Sequence, residues 1–175
     1  MVHRTKRDVK CIWFTGLSGS GKTTLANELK EQFDALSLPS VILDGDIVRK
    51  GMNKDIGFSQ EERKENIRRV AEISKLILQS DITVICAFMS PTIEIRSLAK
   101  SILGDYYLEV FVDTPIDICI ARDVKGIYKK ALSGKIKHLS GVDAPFESPI
   151  NPDLIITTEN TDPSQGVSRI MELLD

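Results

Sequence analysis

Gly16-Leu17-Ser18-Gly19-Ser20-Gly21-Lys22-Thr23 sets three glycines, a lysine and a hydroxyl residue directly after the apolar run Cys11-Ile12-Trp13-Phe14. A glycine-rich turn lets successive backbone N–H groups close round a β-phosphate, and a helix starting near Lys22 aims its positive dipole end at the same anion. In that arrangement Lys22 reaches the β- and γ-oxygens, and the Thr23 hydroxyl ligates the Mg²⁺ that bridges them. With a strand before it and a helix after it the run reads as a nucleoside triphosphate site. Without that context it is only a turn.

A second group of residues could take the phosphoryl group onward. Asp44-Gly45-Asp46 follows an apolar, β-branched run, so both carboxylates emerge at the edge where open α/β sheets bind ligands. A carboxylate there can organise Mg²⁺-bound water or accept a proton from an attacking hydroxyl, although an Asp in such a turn can also simply cap a helix. Arg49 adds a cation suited to a substrate phosphate. Arg63 and Asn66, three apart near a helix start, form a polar clamp for an anion or an ordinary exposed face. Ser90, in Ala87-Phe88-Met89-Ser90-Pro91, is open to three readings: substrate contact, helix cap, or covalent phosphoryl carrier. Phe146 is an aromatic in a polar, proline-rich loop that it could simply pin down, or, together with Phe58 at the start of a long helix, it could sandwich a purine.

These residues must be positioned by a scaffold, and the pattern for one is present. Apolar, β-branched runs near Cys11–Thr15, Ser40–Leu43, Ile82–Phe88, Tyr107–Val112 and Leu154–Thr157 alternate with amphipathic stretches at Lys22–Leu36, Ser59–Ser80, Thr92–Leu103, Pro115–Ala121 and Pro163–Leu174. That alternation predicts βαβ units, hence an α/β fold with a five-stranded parallel sheet between helix layers. Ser59 and Glu62 form a capping box, and Ile67, Val70, Ala71, Ile77 and Leu78 give the helix behind them its apolar face. The 122–149 stretch breaks the rhythm. It carries Arg122, Lys125, Lys129, Lys130, Lys135, Lys137 and His138 among glycines, as expected of a mobile lid over a polyphosphate, or of a solvated surface loop.

The 175 residues, 42% of them hydrophobic, suit one domain spanning the chain. A formal net charge of -2 argues against a general nucleic-acid or anionic-membrane partner. No apolar run is long enough to span a bilayer, and the basic start leads into no signal-type core, so a cytoplasmic protein is expected. Cys11, Cys86 and Cys119 sit among apolar neighbours without CxxC spacing, as buried reduced thiols do.

Taken in order, these motifs resemble the adenylyl-sulfate kinase family over Ile12 to about Ile156. The likeness is carried by GLSGSGKTT at Gly16–Thr24, LDGDIVRKGMNKDIGFS at Leu43–Ser59, RKENIRR at Arg63–Arg69, AFMSP at Ala87–Pro91, VDTP at Val112–Pro115, DVKGIYKKALSGKIK at Asp123–Lys137 and APFESP at Ala144–Pro149. It implies a P-loop kinase that uses ATP and Mg²⁺ to phosphorylate the 3′-hydroxyl of adenosine 5′-phosphosulfate (APS), as a homodimer. ATP would meet Gly16, Ser18, Gly19, Ser20, Gly21, Lys22, Thr23 and Thr24, with Arg122 near its adenine and Thr23 on the metal. Phe58 and Phe146 would hold the substrate adenine, and Arg49, Arg63 and Asn66 its phosphosulfate. Asp46 would stand at the 3′-hydroxyl with Asp44 in support, Lys125 would close over the phosphates, and Ser90 matches a serine described as a phosphoserine intermediate.

One departure from the family pattern is Ile47, which stands where many members have Asn. Relatives are thought to phosphorylate other nucleotides such as cytidine diphosphoramidate, but both aromatics are retained, which favours APS. Two rivals share the phosphate loop. A GTP-dependent switch would need a guanine-reading Asn-Lys-x-Asp, whereas Asn53-Lys54-Asp55-Ile56 has its Asp one place early. A non-catalytic binding module is disfavoured by the presence of Lys22, Thr23 and Asp46 together.

Overall fold

β1 (Cys11–Thr15) is buried along its whole length, which only a strand covered on both faces requires. Its alternation divides the interior in two. Cys11 and Trp13 face Ile67, Val70, Ala71, Ile95 and Ala99 on one side, while Ile12 and Phe14 face Leu25, Leu29, Phe33, Val167 and Ile170 on the other. The computed structural model describes residues 9–159 and 161–174; the basic start, 1–8, lies outside the described residues.

In chain order the elements are β1, α1 (Lys22–Ala35), β2 (Ser40–Asp44), α2 (Gly45–Lys50), α3 (Gln60–Leu78), β3 (Thr83–Ala87), α4 (Ile93–Leu103), a short 3₁₀ turn (Gly104–Tyr106), β4 (Tyr107–Asp113), α5 (Ile116–Arg122), α6 (Ile127–Leu132), β5 (Leu154–Thr157) and α7 (Pro163–Leu174). The strands are all parallel, in the order β2-β3-β1-β4-β5. The chain leaves β1 for one side of the sheet and later returns to the other, so the crevice beyond the carboxyl end of β1 is the topological switch point where such sheets bind ligands. The phosphate loop, the Asp44–Asp46 turn and the exits of β3, β4 and β5 all open there.

Five strands and five helices of the sequence reading are present, with ends shifted by a residue or two. β3 is shorter than Ile82–Phe88, and β2 runs one residue further to Asp44, whose carboxylate accepts from the Asp46 N–H and caps α2. That cap turns the Asp44–Asp46 segment into a short helix the periodicity could not announce. The capping box of α3 is present on both sides, with Glu62 N–H donating to Ser59 Oγ and Ser59 N–H to Glu62 Oε2. α4 is capped by Thr92, which removes the capping role considered for Ser90. The expected lid begins inside α5 and contains α6, which Gly126 and Gly134 bracket at positive φ. Glycines that suggested a loop are in fact helix ends. Cys11, Cys86 and Cys119 are buried and free, as expected.

Arg96 of α4 ties the wall behind the sheet edge together. Only 4% exposed, it donates to the Ser90 and Glu147 carbonyls and pairs with Glu109 of β4 at 3.3 Å. Burial raises the Glu109 pKa, and the Arg96 charge opposes that rise. Removing one partner of a buried pair strands the other. Arg96→Ala is therefore expected to cost about 3 kcal/mol in urea unfolding, with part recovered on adding Glu109→Gln. A loss below about 1 kcal/mol would show that the pair is not a tie.

Candidate active site

A cavity of about 780 Å³ opens along the carboxyl edge of the sheet. Its floor is the phosphate loop, whose shape follows from where its carbonyls go. Lys22 Nζ donates to the Gly16 and Leu17 carbonyls at 2.9 and 2.6 Å. The Tyr128 hydroxyl donates to the Ser18 carbonyl at 2.9 Å, and Arg122 to that of Gly19 at 3.2 Å. Thr114 and Thr158 both donate to the Ser20 carbonyl, at 3.0 and 2.8 Å. With five consecutive carbonyls engaged, the loop's N–H groups, apart from that of Ser20, which donates to the Leu17 carbonyl at 3.2 Å, are left to an anion. Gly16 is required by crowding, because a Cβ there would lie 2.6 Å from the Val112 carbonyl oxygen.

α1 begins at Lys22, directly behind the loop, so its dipole adds to the same field. Lys22 is partly buried, and its pKa is lowered to about 8, first by burial and then by the charge of Lys125, against the opposing pull of Cys119, Asp44 and Asp46. The site thus spends free energy on holding a cation beside unpaired donors. The Thr23 hydroxyl donates to Asp44 Oδ2 at 2.9 Å. Two hard oxygen donors side by side fit Mg²⁺, which usually takes only one or two protein ligands and completes its shell with phosphates and water. Among the described residues no cluster of three His, Cys, Asp or Glu forms a self-sufficient metal cage.

Opposite the loop stands a cationic wall. Arg49 donates to the Ile56 and Gly57 carbonyls and stacks over Phe58, its guanidinium 4.4 Å from the ring centroid. Arg63 lies 5.7 Å from the same centroid and donates to the carbonyls of Phe58 and His138. Burial lowers both guanidinium pKa values, and at Arg49 the charge of Arg63 adds to the effect. Asn66 beside them is oriented by buried Asn53, whose side-chain amide donates to its Oδ1 at 2.9 Å. Asp46 is within electrostatic reach of both Arg49 on this wall and Lys22 at the loop, and is paired with Lys125. Six Lys and Arg side chains and four Asp side chains line the cavity, a net positive surface suited to a polyanion.

Most of the expected residues converge here. Ser18, Gly19, Gly21, Lys22, Thr23, Thr24, Asp44, Asp46, Arg49, Phe58, Arg63, Asn66, Arg122 and Lys125 line the cavity; Gly16 and Ser20 belong to the loop but not to the lining. Two expectations need correction. Ser90 has no exposure, and its hydroxyl accepts from the Trp13 indole N–H at 2.9 Å, so it neither faces the cavity nor stands ready to carry a phosphoryl group. Phe146 is outside the lining. It stacks on Phe111 at 6.1 Å between centroids, with Arg96 over its ring, so it does not oppose Phe58 in this conformation. Ile47 is 70% exposed and outside the walls, which removes it as a wall contact.

Other residues of the site went unread in the sequence. Thr158, in the lining, follows β5, and Thr114, outside the lining but bonded to the Ser20 carbonyl, follows β4, positions at the functional edge that the strand pattern alone could have flagged. Phe88, Met89 and Tyr128 also line the cavity, beside Lys137 and His138 of the basic stretch expected to form a lid. His138 adopts φ 62, held there by the Asp143 carboxylate, which accepts from the N–H groups of His138 and Leu139.

Comparison with known proteins gives one consistent result. The sequence profile of the family described as adenylylsulphate kinase matches residues 8–157. The adenylyl-sulfate kinase of Bacteroides thetaiotaomicron is 49% identical over 164 residues, covering 93% of this chain and 82% of that one. The structure of the Mycobacterium tuberculosis APS kinase CysC in complex with AMPPNP and APS superposes with a TM-score of 0.92 at 38% identity, over 95% of this chain and 98% of that one. A hexameric APS kinase from Thiobacillus denitrificans aligns with a TM-score of 0.72 at 26% identity, over 97% of this chain and 29% of the longer one.

The Lys22 pKa gives the site a pH signature. A bound anion favours the protonated amine and raises its pKa, so binding above pH 8 takes up a proton and affinity falls as pH rises. ADP, whose terminal phosphate is already mostly ionised at pH 7, is expected to bind up to about tenfold more weakly at pH 9 than at pH 7 in isothermal titration. Equal affinities would contradict the role of Lys22 as the anion's partner.

Proposed function

The chain belongs to the adenylylsulphate kinase family, and from that membership we propose that it transfers the γ-phosphoryl group of ATP to the 3′-hydroxyl of APS, yielding ADP and 3′-phosphoadenosine 5′-phosphosulfate. The observation that carries the reading is the adjacency of two anion-seeking surfaces across one carboxylate. The phosphate loop, Asp46, and Arg49, Phe58 and Arg63 line one cavity, and the Asp46 charge acts on both Lys22 and Arg49.

In this account ATP lies with its β-phosphate on the loop N–H groups and its γ-phosphate toward Asp46. Arg122, bonded to Gly19 and Thr158, lies on the side where the nucleoside would extend. APS lies against Phe58, with Arg49, Arg63 and Asn66 on its phosphosulfate. Asp46 accepts the 3′-hydroxyl proton as the 3′-oxygen attacks the γ-phosphorus, the β–γ bridging P–O bond breaks, and its electrons leave with ADP. Lys125 pairs with Asp46 before nucleotide arrives. A polyphosphate offers that ammonium more negative charge than one carboxylate, so Lys125 moves to the phosphates and Asp46 is freed. Thr23 and Asp44 would hold Mg²⁺, which would supply charge neutralisation of the β- and γ-phosphates. Lys22 shares that task, which is the larger part of phosphoryl-transfer catalysis.

Phe146 opposes Phe58 only if its loop moves off Phe111, and the 122–149 segment is where that closure belongs. We further propose that the enzyme works in the cytoplasm as a homodimer. Three free, buried cysteines fit a reducing compartment, and no helix of the described residues is long and apolar enough to cross a membrane. The hexameric relative is precedent for self-association in the family.

The experiment that tests the reading supplies ATP and Mg²⁺ with APS or, separately, with cytidine diphosphoramidate, and identifies the product by mass. APS is expected to be the substrate turned over; exclusive use of the cytidine compound would reassign the acceptor and keep the kinase. Lys22→Ala is expected to lower kcat at least about 10³-fold with an unchanged melting temperature, and normal turnover would remove the loop from the mechanism. Phe58→Ala should raise KM for APS about tenfold while leaving KM for ATP unchanged, since one base stacked on an aromatic contributes roughly 1–3 kcal/mol.

A further inference from the structure

Tyr128 lies in α6, within the basic segment that breaks the strand–helix rhythm, and its side chain is 1% exposed. Its ring packs with Cys119 and Leu139 in a small cluster completed by Leu17, Met89 and Ile116, which a phenylalanine would fill equally well. The hydroxyl is therefore the informative atom. It donates to the Ser18 carbonyl of the phosphate loop at 2.9 Å, across 110 residues of chain. Burial raises the phenol pKa, so it remains a donor throughout the working pH range. The helix carrying it is held at its start by the Asp123 carboxylate, which accepts from the N–H groups of Tyr128 and Lys129 at 3.0 Å each.

We propose that Tyr128 is a positioning residue: its hydroxyl keeps the Ser18–Gly19 peptide in the anion-binding orientation, so that nucleotide affinity depends on segment 123–132 being docked. The physical reason is the two-faced character of a peptide. Turned one way it presents an N–H to a phosphate; turned over, it presents a carbonyl oxygen that repels one. Gly19, at φ 75, has no Cβ to resist that rotation, so an external tether must supply the resistance. The same segment carries Lys125, paired with Asp46. One movement of it therefore alters both the loop's shape and the charge of the candidate base, which couples nucleotide binding to acceptor activation.

The inference rests on the reading of the loop as the ATP site, and the test separates the two. Binding of a non-hydrolysable ATP analogue and of APS is measured for the unaltered protein and for Tyr128→Phe, alongside thermal melting. The expected result is about a tenfold rise in Kd for the analogue, the scale of leaving one buried carbonyl unpaired, with the Kd for APS within about twofold. Loss of both affinities in parallel, or no change in either, overturns the positioning role. Failure of the unaltered protein to bind the analogue overturns the ATP-site reading and the inference with it. Hydrogen exchange on the unaltered protein gives a second check that no folding defect can obscure. The analogue should slow exchange in both 16–21 and 126–132, and slowing confined to the loop contradicts the coupling.

Discussion

The structure depends on one constraint: the peptide groups of Gly16 to Ser20 must turn their oxygens outward. Left to itself a glycine-rich loop has many conformations, and fixing each residue in one of them costs roughly 1–2 kcal/mol. The constraint is met by donors from five separate places in the chain, at Lys22, Thr114, Arg122, Tyr128 and Thr158. Those donors converge because parallel strands β1, β4 and β5 end at the same edge, so that residues about 100 and 140 positions downstream arrive under the loop. The two halves of the core serve that register, since they hold β1 fixed from both faces.

The charges follow from the same geometry. A loop that offers N–H groups, a helix start and Lys22 to one point creates a field that has no internal answer. The protein answers it only in part, with Asp44 and Asp46 and with Lys22 bent back onto loop carbonyls. Across the cleft Arg49 and Arg63 are likewise directed by backbone carbonyls and by the Phe58 ring, rather than neutralised by acids. Each cation is oriented without being satisfied, which is how a site keeps affinity for an incoming anion while remaining folded without one. Arg96 behind the wall is the opposite case, buried and paired, and it serves the scaffold.

Much of this was legible in the sequence where a residue's role depends on its neighbours in the chain. The phosphate loop, the Ser59–Glu62 capping box, the strand that precedes the loop and the Asp44–Asp46 turn are local patterns with local causes. What could not be read depends on where side chains point after strands and loops have packed. Ser90 has the composition of a contact residue, yet the indole of Trp13, 77 positions earlier, claims its hydroxyl. Phe146 has the right type for a base stack, but Phe111 and Arg96 supply a closer surface. Tyr128 carried no signal at all, since a tyrosine in a glycine-punctuated basic stretch gives no sign that its hydroxyl ends under a loop formed by residues 16–21. Gly126 and Gly134 hid α6 because the same glycine that opens a loop also caps a helix.

The proposed reaction requires that the two anion-seeking surfaces hold their ligands with the reacting groups meeting at Asp46. A crystal structure of this protein with a non-hydrolysable ATP analogue, Mg²⁺ and APS tests it directly. The β-phosphate is expected on the loop N–H groups, with the Ser18 and Ser20 carbonyls still bonded to Tyr128 and to Thr114 and Thr158. The APS 3′-hydroxyl is expected within about 3 Å of Asp46, the reach of a general base. A 3′-hydroxyl directed away from Asp46, or a loop carbonyl turned toward the phosphates, would contradict the proposed reaction.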